Sequence, residues 1–241
     1  MKRLKFIGSS QDDLKNFPAE ARRLAGFELD AVQRGFMPSD FKPMFSVGAG
    51  VYEIRLHVIG EWRVIYVAKC SDAVYVLHAF QKKSQKTRRE DIDLAARRFR
   101  QIGEWIMKEK IINSSGNVFA DLGFSPEEAS LLAMRAELMA YLRETVEKKR
   151  WTQTEAAIVL GISQSRVSDL VRGKVEKFSL DMLITLATRA GKKVSLALAW
   201  WLCTEYERHN SKHIADAAGS TQHSSAQQGQ FLNSDIATSD E

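Results

Sequence analysis

Arg55, Arg63, His78, Lys82 and Lys83 lie in two short runs, YEIRLHVIGEWR and LHAFQKK, of a 241-residue chain. These residue types suit cleavage of an RNA phosphodiester without metal. A 2′-hydroxyl attacking the neighbouring phosphate needs cations against the charge that builds on the phosphoryl oxygens, and groups that take and give protons. Arginine and lysine meet the first need. His78 or His57 could meet the second, with a pKa near neutrality, and Phe80 or Trp62 could stack on a splayed base. The plainer reading is a charged, solvated sheet face with a strand-end histidine whose hydrogen bond is satisfied.

Whether these residues act together depends on the elements that carry them. Residues 51–80 alternate in strand fashion as VYEIRLHV, WRVIYVA and AVYVLHAF, separated by the turn signals IGE and KCSD, which predicts a three-strand antiparallel meander. A one-residue slip of register sends every side chain to the other face. A two-residue Gly60-Glu61 turn would pair Ile59 with Trp62 and put Arg63 among Ile54, Leu56 and Val58. A three-residue loop, Ile59-Gly60-Glu61, pairs Val58 with Trp62, gathers Tyr52, Ile54, Leu56, Val58, Trp62, Val64 and Tyr66, and buries no arginine. The second is preferred. It leaves Glu53, Arg55, His57 and Arg63 on an exposed face, joined by His78 and Phe80, with Lys82, Lys83 and Lys86 following.

Before the meander, a short strand at residues 4–7 precedes Leu14, Phe17, Ala21, Leu24, Ala25, Leu29 and Val32, which recur at helical steps. After it, Thr87–Glu90 (TRRE) is a capping-box pattern, and Ile92, Ala95, Phe99 and Ile102 mark the inner face of another helix. Net charge is +5, with 19 basic against 13 acidic residues in 1–104, 14 against 11 in 105–198, and 2 against 6 beyond. A basic front and middle fit an anionic partner such as nucleic acid. The two cysteines, Cys70 and Cys203, are far apart and lack neighbours at metal-ligand spacing, so neither a disulfide framework nor a zinc site is expected. The beginning MKRLKFIGSS has no long apolar stretch and no run reaches membrane-spanning length, so a cytoplasmic protein with no membrane partner is expected.

VYEIRLHVIGEWRVIY followed by VYVLHAFQKKSQKTRREDIDLAARR resembles the RelE/HigB superfamily of toxins, in particular its phage-derived branch with an LHAFxKKxxKT signature, over nearly all of residues 1–104. The resemblance implies a RelE-like antiparallel sheet with flanking helices, and a metal-independent mRNA endonuclease, often ribosome-dependent, that needs no cofactor. It also implies phosphate binding and transition-state stabilisation by Arg55 and Arg63, with Lys82 and Lys83 as the basic residues after the last strand. The expected catalytic set is thus Arg55, Arg63, His78, Lys82 and Lys83, with His57, Phe80, Gln81 and Lys86 contacting RNA. One departure is Arg88, which follows Thr87 where the family often has proline.

The second half reads differently. Ser125–Glu128 (SPEE) is a capping box opening a helix to about Lys149, and Thr152–Glu155 (TQTE) is another. Ala156, Ala157 and Leu160 point inward, Gly161 ends the helix, Ile162 plugs the core, and Ser163 caps a second short helix with Val167 and Leu170 inside. That is helix-turn-helix spacing, in which the second helix enters the major groove. Gln164, Ser165, Arg166 and Ser168 would meet base edges, while Gln153, Thr154, Arg172 and Lys174 fall where phosphate contacts belong. A helix pair that merely packs is the plainer reading. Residues 117–198 resemble the XRE family of lambda-repressor-like domains, and GNVFADLGFSPEEASLLAMRAELMAYLRE resembles the start of HigA-type antitoxins. This implies an all-α DNA-binding domain that binds its toxin, represses its own operon and forms a homodimer.

The expected organisation is a toxin domain at 1–105, a linker at 106–118 with flexible NSSG at Asn113–Gly116, a helix-turn-helix antitoxin domain at 119–198, and an extension at 199–241, disordered from about 209. Met107 could be an internal start left by fusion of adjacent reading frames. Trp200, Trp201 and Leu202 could extend the last strand into a dimer contact or pack against the toxin half, with simple core packing the expected role. Two functions stay in view: a fused toxin–antitoxin protein whose mRNA endonuclease is held inactive by an autorepressing domain, acting on mRNA or the ribosome and on operator DNA, or a DNA-binding regulator with an inactive toxin-like half. The sequence leaves open whether the toxin half is blocked at its basic face or at a helix.

Overall fold

The computed structural model describes residues 1–70, 72–103 and 109–195. Met107, Cys203, the Trp200–Leu202 segment and the tail from 209 lie outside the described residues. The first half contains β1 (Arg3–Ile7), α1 (Ser10–Lys15), α2 (Ala19–Gln33), β2 (Phe41–Pro43), β3 (Val51–His57), β4 (Glu61–Val67), β5 (Ala73–Gln81) and α3 (Arg89–Gly103). The expected helical run is two helices. Pro18 occupies the N-cap of α2, where its ring and missing N–H end the earlier helix, while Leu14 and Phe17 stay buried. At α3, Ile92 N–H donates to the Arg88 carbonyl (3.3 Å), which makes Arg88 the capping position in place of Thr87.

The expected meander is present, within a six-stranded sheet of order β2-β3-β4-β5-β1-β6 whose last strand is β6 (Ile111–Asn113). The sheet is mixed: β1 runs parallel to β5, because α1 and α2 carry the chain over one face before the meander begins. In the first hairpin Leu56 lies opposite Trp62 and His57 opposite Glu61, two residues from the expected pairing. A two-residue shift preserves the faces, so only Val58 leaves the sheet. The tight loop needs positive φ at Ile59 (46°) and Gly60 (114°), and the Trp62 indole N–H closes it by donating to the Val58 carbonyl (3.1 Å).

Leu4, Phe6, Ile54, Leu56, Val64, Tyr66, Val74 and Val76 form one apolar face, covered by α2. The other carries Ile7, Val51, Ile65, Val67, Ala73, Tyr75 and Leu77 and is covered in part by Ala95 of α3 and by Met44 and Val47 of a loop. That second cover corrects the expected open face: Arg63, Glu53 and His78 are 4%, 2% and 7% exposed.

The segment read as a flexible linker is built into the fold. β6 pairs antiparallel with β1, Ser114 N–H donates to the Leu4 carbonyl (2.9 Å), and the Ser114 hydroxyl and Ser115 N–H both bond the Asp121 carboxylate. Next come α4 (Val118–Asp121), α5 (Pro126–Lys148), α6 (Gln153–Leu160), α7 (Gln164–Val171), a 3-10 turn at Val175–Lys177, and α8 (Leu180–Arg189). The Thr152–Glu155 capping box is complete, with Gly161 left-handed at φ 64°. The Ser125 box is half made: Ser125 accepts from Glu128 N–H, but the Glu128 carboxylate instead receives Arg23 of α2 at 2.7 Å.

The two halves belong to one compact unit, Met1–Val194. Phe119 of α4 is fully buried, its ring 4.9 Å from that of Phe27 on α2, and Leu122 and Phe124 join the same apolar cluster. Arg22 donates to the Leu122 carbonyl (3.2 Å), and the guanidinium of Arg143 on α5 sits over the Phe36 ring at 4.7 Å. Covered in this way, Glu28 and Asp30 of α2 are buried, and burial pushes both carboxyls up; Ser39 bonds Glu28 and Arg34 pairs with Asp30 in opposition. No helix among the described residues is long and apolar enough to cross a membrane.

Candidate nucleic-acid interfaces

Adjacent strands bring Arg55 opposite Arg63 and Arg63 opposite Phe80, so the predicted face does assemble. Glu53 organises it. Its buried Oε1 lies 3.5 Å from Nε of both Arg55 and Arg63, while its Oε2 is buried without a hydrogen-bond partner. Arg63 also donates to Glu61 Oε2 (2.8 Å) and the Trp62 carbonyl (2.8 Å). It therefore sits beneath the surface, whereas the Arg55 side chain keeps 34% of its exposure. Burying a guanidinium is tolerable only because carboxylates and a carbonyl receive it.

Beside Arg55 opens a cleft of ≈ 490 Å³, whose walls include Lys42, Phe45, Glu53, Lys82, Gln85 and Lys86. Of the predicted residues, Arg55, Lys82 and Lys86 meet there. Lys83 is exposed but not in the cleft wall. Gln81 pairs with Trp62, so it belongs to the opposite face, a correction that follows from strand alternation. His57 is drawn to the hairpin end, where Glu61 and Asp40 each bond it at 2.8 Å. Those bonds, that to Glu61 first, raise its pKa, and His57 in turn holds the Glu61 carboxyl down at about 2.

A bulge in β5, where Ile65 faces His78 but Tyr66 faces Val76, places His78 on the charged side. Its ring stacks on Phe80 at 5.1 Å, its Nε2 bonds Asp91 of α3 at 3.0 Å, and its Nδ1 lies 3.5 Å from Asp13 of α1. Lys42, Phe45 and Gln85 escaped the sequence reading because KPMFSVGAG and SQK carry no periodic signal. Chemically, the cleft offers three lysines and an arginine for phosphate, with a carboxylate in its wall.

In the second half, α6 and α7 have the expected helix-turn-helix arrangement, with Val167 and Leu170 fully buried. Gln164 bridges the two helices by donating to Thr154 Oγ1 (2.9 Å), and Ser163 and Ser165 share a hydroxyl contact at 2.9 Å. Arg166 is not splayed outward. Its guanidinium lies over the Phe178 ring (5.4 Å) and donates to the Lys177 carbonyl (3.3 Å). Gln153, Ser165 and Arg172 are exposed and Ser168 is half-buried, while Lys174 pairs with Asp169 at 3.1 Å. The surface thus presents polar groups at the start of α7 and a cation at its end, as groove and phosphate contacts require.

Residues 12–100 match the family model of phage-derived Gp49-like proteins. Residues 118–198 match a helix-turn-helix domain model. No curated protein matches the sequence. The chain thus joins a toxin-like domain similar to the Gp49-like proteins, an α+β unit, to an all-α helix-turn-helix domain.

Proposed function

We propose that the chain is a fused toxin–antitoxin protein of the HigB and HigA kind: the first half is a latent, metal-independent mRNA endonuclease, and the second binds operator DNA and represses its own operon. The observation that carries this reading is the cleft beside Arg55, with Lys42, Lys82 and Lys86 around the buried Glu53. In the cleavage step, Arg55 and the lysines offset charge on the phosphoryl oxygens, and Arg63 holds Glu53 and the end of the β3–β4 hairpin in place. His78, hydrogen-bonded to Asp91, is the candidate proton carrier.

The helix-turn-helix half docks on α2, across the sheet from this cleft. Silencing would therefore come from bulk that bars the toxin-like half from a ribosome-bound message, with the cleft itself left uncovered by the described residues of the second half. Exposed Gln153, Ser165 and Arg172 suit operator contact, and a homodimer would span two half-sites. The buried, paired state of Arg63 and His78 favours a second reading, a DNA-binding regulator whose toxin-like half serves only as a scaffold. Purified full chain and a fragment of residues 1–117, tested for cleavage of mRNA on translating ribosomes and for binding to DNA upstream of the chain's own coding region, separate the two. Cleavage by the folded fragment alone supports the first; DNA binding with no cleavage by either supports the second.

A further inference from the structure

The turn between β2 and β3 sets an aromatic ring at the mouth of the cleft. Met44 and Val47 are 6% and 8% exposed and pack into the cluster under α3. Met44 N–H donates to the Val51 carbonyl (2.9 Å) and Val47 N–H to the Met44 carbonyl (2.9 Å), which closes the turn. Between these anchors Phe45 is 81% exposed, more than any other large apolar residue described. A lone exposed apolar side chain means little. This one is held by a hydrogen-bonded turn with buried flanks, and it lines the same cleft as Lys42, Arg55, Lys82 and Lys86.

Cations that follow a phosphate backbone beside an open aromatic face form the arrangement that binds single strands, since every base has a π-face and only an unpaired base can offer it. A duplex keeps its faces stacked inside. We infer that Phe45 is a positioning residue that stacks on an unpaired base of a single-stranded RNA, holding the adjoining phosphate against Arg55, Lys82 and Lys86. The inference rests on the reading of the first half as an RNA-cleaving domain, and it gives that domain a preference for single strands.

The test uses the full chain and a single-stranded oligoribonucleotide with intact 2′-hydroxyls and one 2-aminopurine base, its integrity checked on a gel. Fluorescence anisotropy gives Kd, and 2-aminopurine quenching reports stacking. Phe45→Ala should weaken binding about 5- to 150-fold, the loss that stacking energies imply, and abolish the quenching in the bound complex. Phe45→Tyr should restore both, and Lys82→Ala should weaken binding while the bound fraction stays quenched. Because the ring is exposed, the melting temperature should not change. If Phe45→Ala leaves Kd and quenching unaltered while Lys82→Ala weakens binding, the stacking role is overturned and the RNA reading stands. If the full chain binds no RNA, both are overturned together.

Discussion

Replacing Phe119 by alanine tests whether the two halves share one core. The ring is fully buried, meets Phe27 edge-on at 4.9 Å, and approaches Gly26 so closely that an added Cβ there would lie 2.6 Å from it. Removing a buried phenyl ring costs about 3–5 kcal/mol through lost transfer energy and the cavity left behind. With a denaturant slope of roughly 2–3 kcal/mol per molar urea, the unfolding midpoint should fall by about 1–2.5 M. The ion pair that also joins the halves, Arg23 with Glu128, keeps side-chain exposures of 39% and 36%, and pairs this exposed contribute about 0–1 kcal/mol. Glu128→Ala should therefore move the midpoint by no more than ~0.5 M. The assay is urea unfolding of the full chain followed by Trp fluorescence and by far-ultraviolet circular dichroism, and the two signals should fall together in one transition that Phe119→Ala shifts as a whole. Two separate transitions in the wild type, with Phe119→Ala moving only one, would refute the shared core.

Four further outcomes are expected. Arg63→Ala should lower the melting temperature far more than Arg55→Ala: both face the buried Glu53, but Arg63 is itself buried and also bonds Glu61 and the Trp62 carbonyl, whereas Arg55 is part-exposed and its loss should chiefly weaken RNA binding; thermal melts and anisotropy check this. His57 has a raised folded pKa, so its contribution to stability is full below its unfolded value of 6.5 and fades as pH rises through the folded one; His57→Gln should flatten that decline in melts from pH 5 to pH 9. Glu61, bonded by His57 and Arg63, and Asp72, which receives Lys5 at 2.8 Å and the Tyr75 hydroxyl at 2.7 Å, are each held at about 2 against ordinary values of 4.5 and 3.8; they contribute stability that is present above those ordinary values and lost as pH falls toward 2, and Glu61→Gln should reduce the loss between pH 4.5 and pH 2. In the second half, Arg172→Ala should weaken binding to all DNA sequences alike and reduce the salt slope by about 1, while Lys174→Ala, already paired with Asp169, should do less; binding titrations at several salt concentrations read both.

Local signals carried much of this architecture. Alternation across residues 51–80 gave the strands and the right parity, because burial of Ile54, Leu56, Val64 and Tyr66 depends on period two. It could not fix the slip of two, which leaves the faces unchanged and is set by the positive φ of Ile59 and Gly60. Capping chemistry at Thr152 and Ser163 marked α6 and α7 for the same local reason. What escaped depends on distant partners. Arg63 looked exposed because nothing in its own strand announces the cover from α3 and the Met44–Val47 turn. The NSSG run has the composition of a linker, yet Asp121, several residues on, ties it down, and the strand before it pairs with β1. Arg166 carries the sequence signature of a base-reading arginine, but Phe178 beyond α7 draws its guanidinium inward. Of the candidate site, the cations on strands were legible, and Phe45 and Lys42 were not.

Cleavage of mRNA at the cleft beside Arg55, kept silent by the docked second half, can be tested in cells. The most direct measurement follows growth and maps mRNA 5′ ends in cells producing residues 1–117, which keep β6 in the sheet, beside the full chain and an Arg55→Ala version of the fragment. Growth arrest and new 5′ ends are expected with the fragment, and neither with its Arg55→Ala version or with the full chain. A fragment shown to be folded that neither arrests growth nor yields new 5′ ends would contradict this expectation.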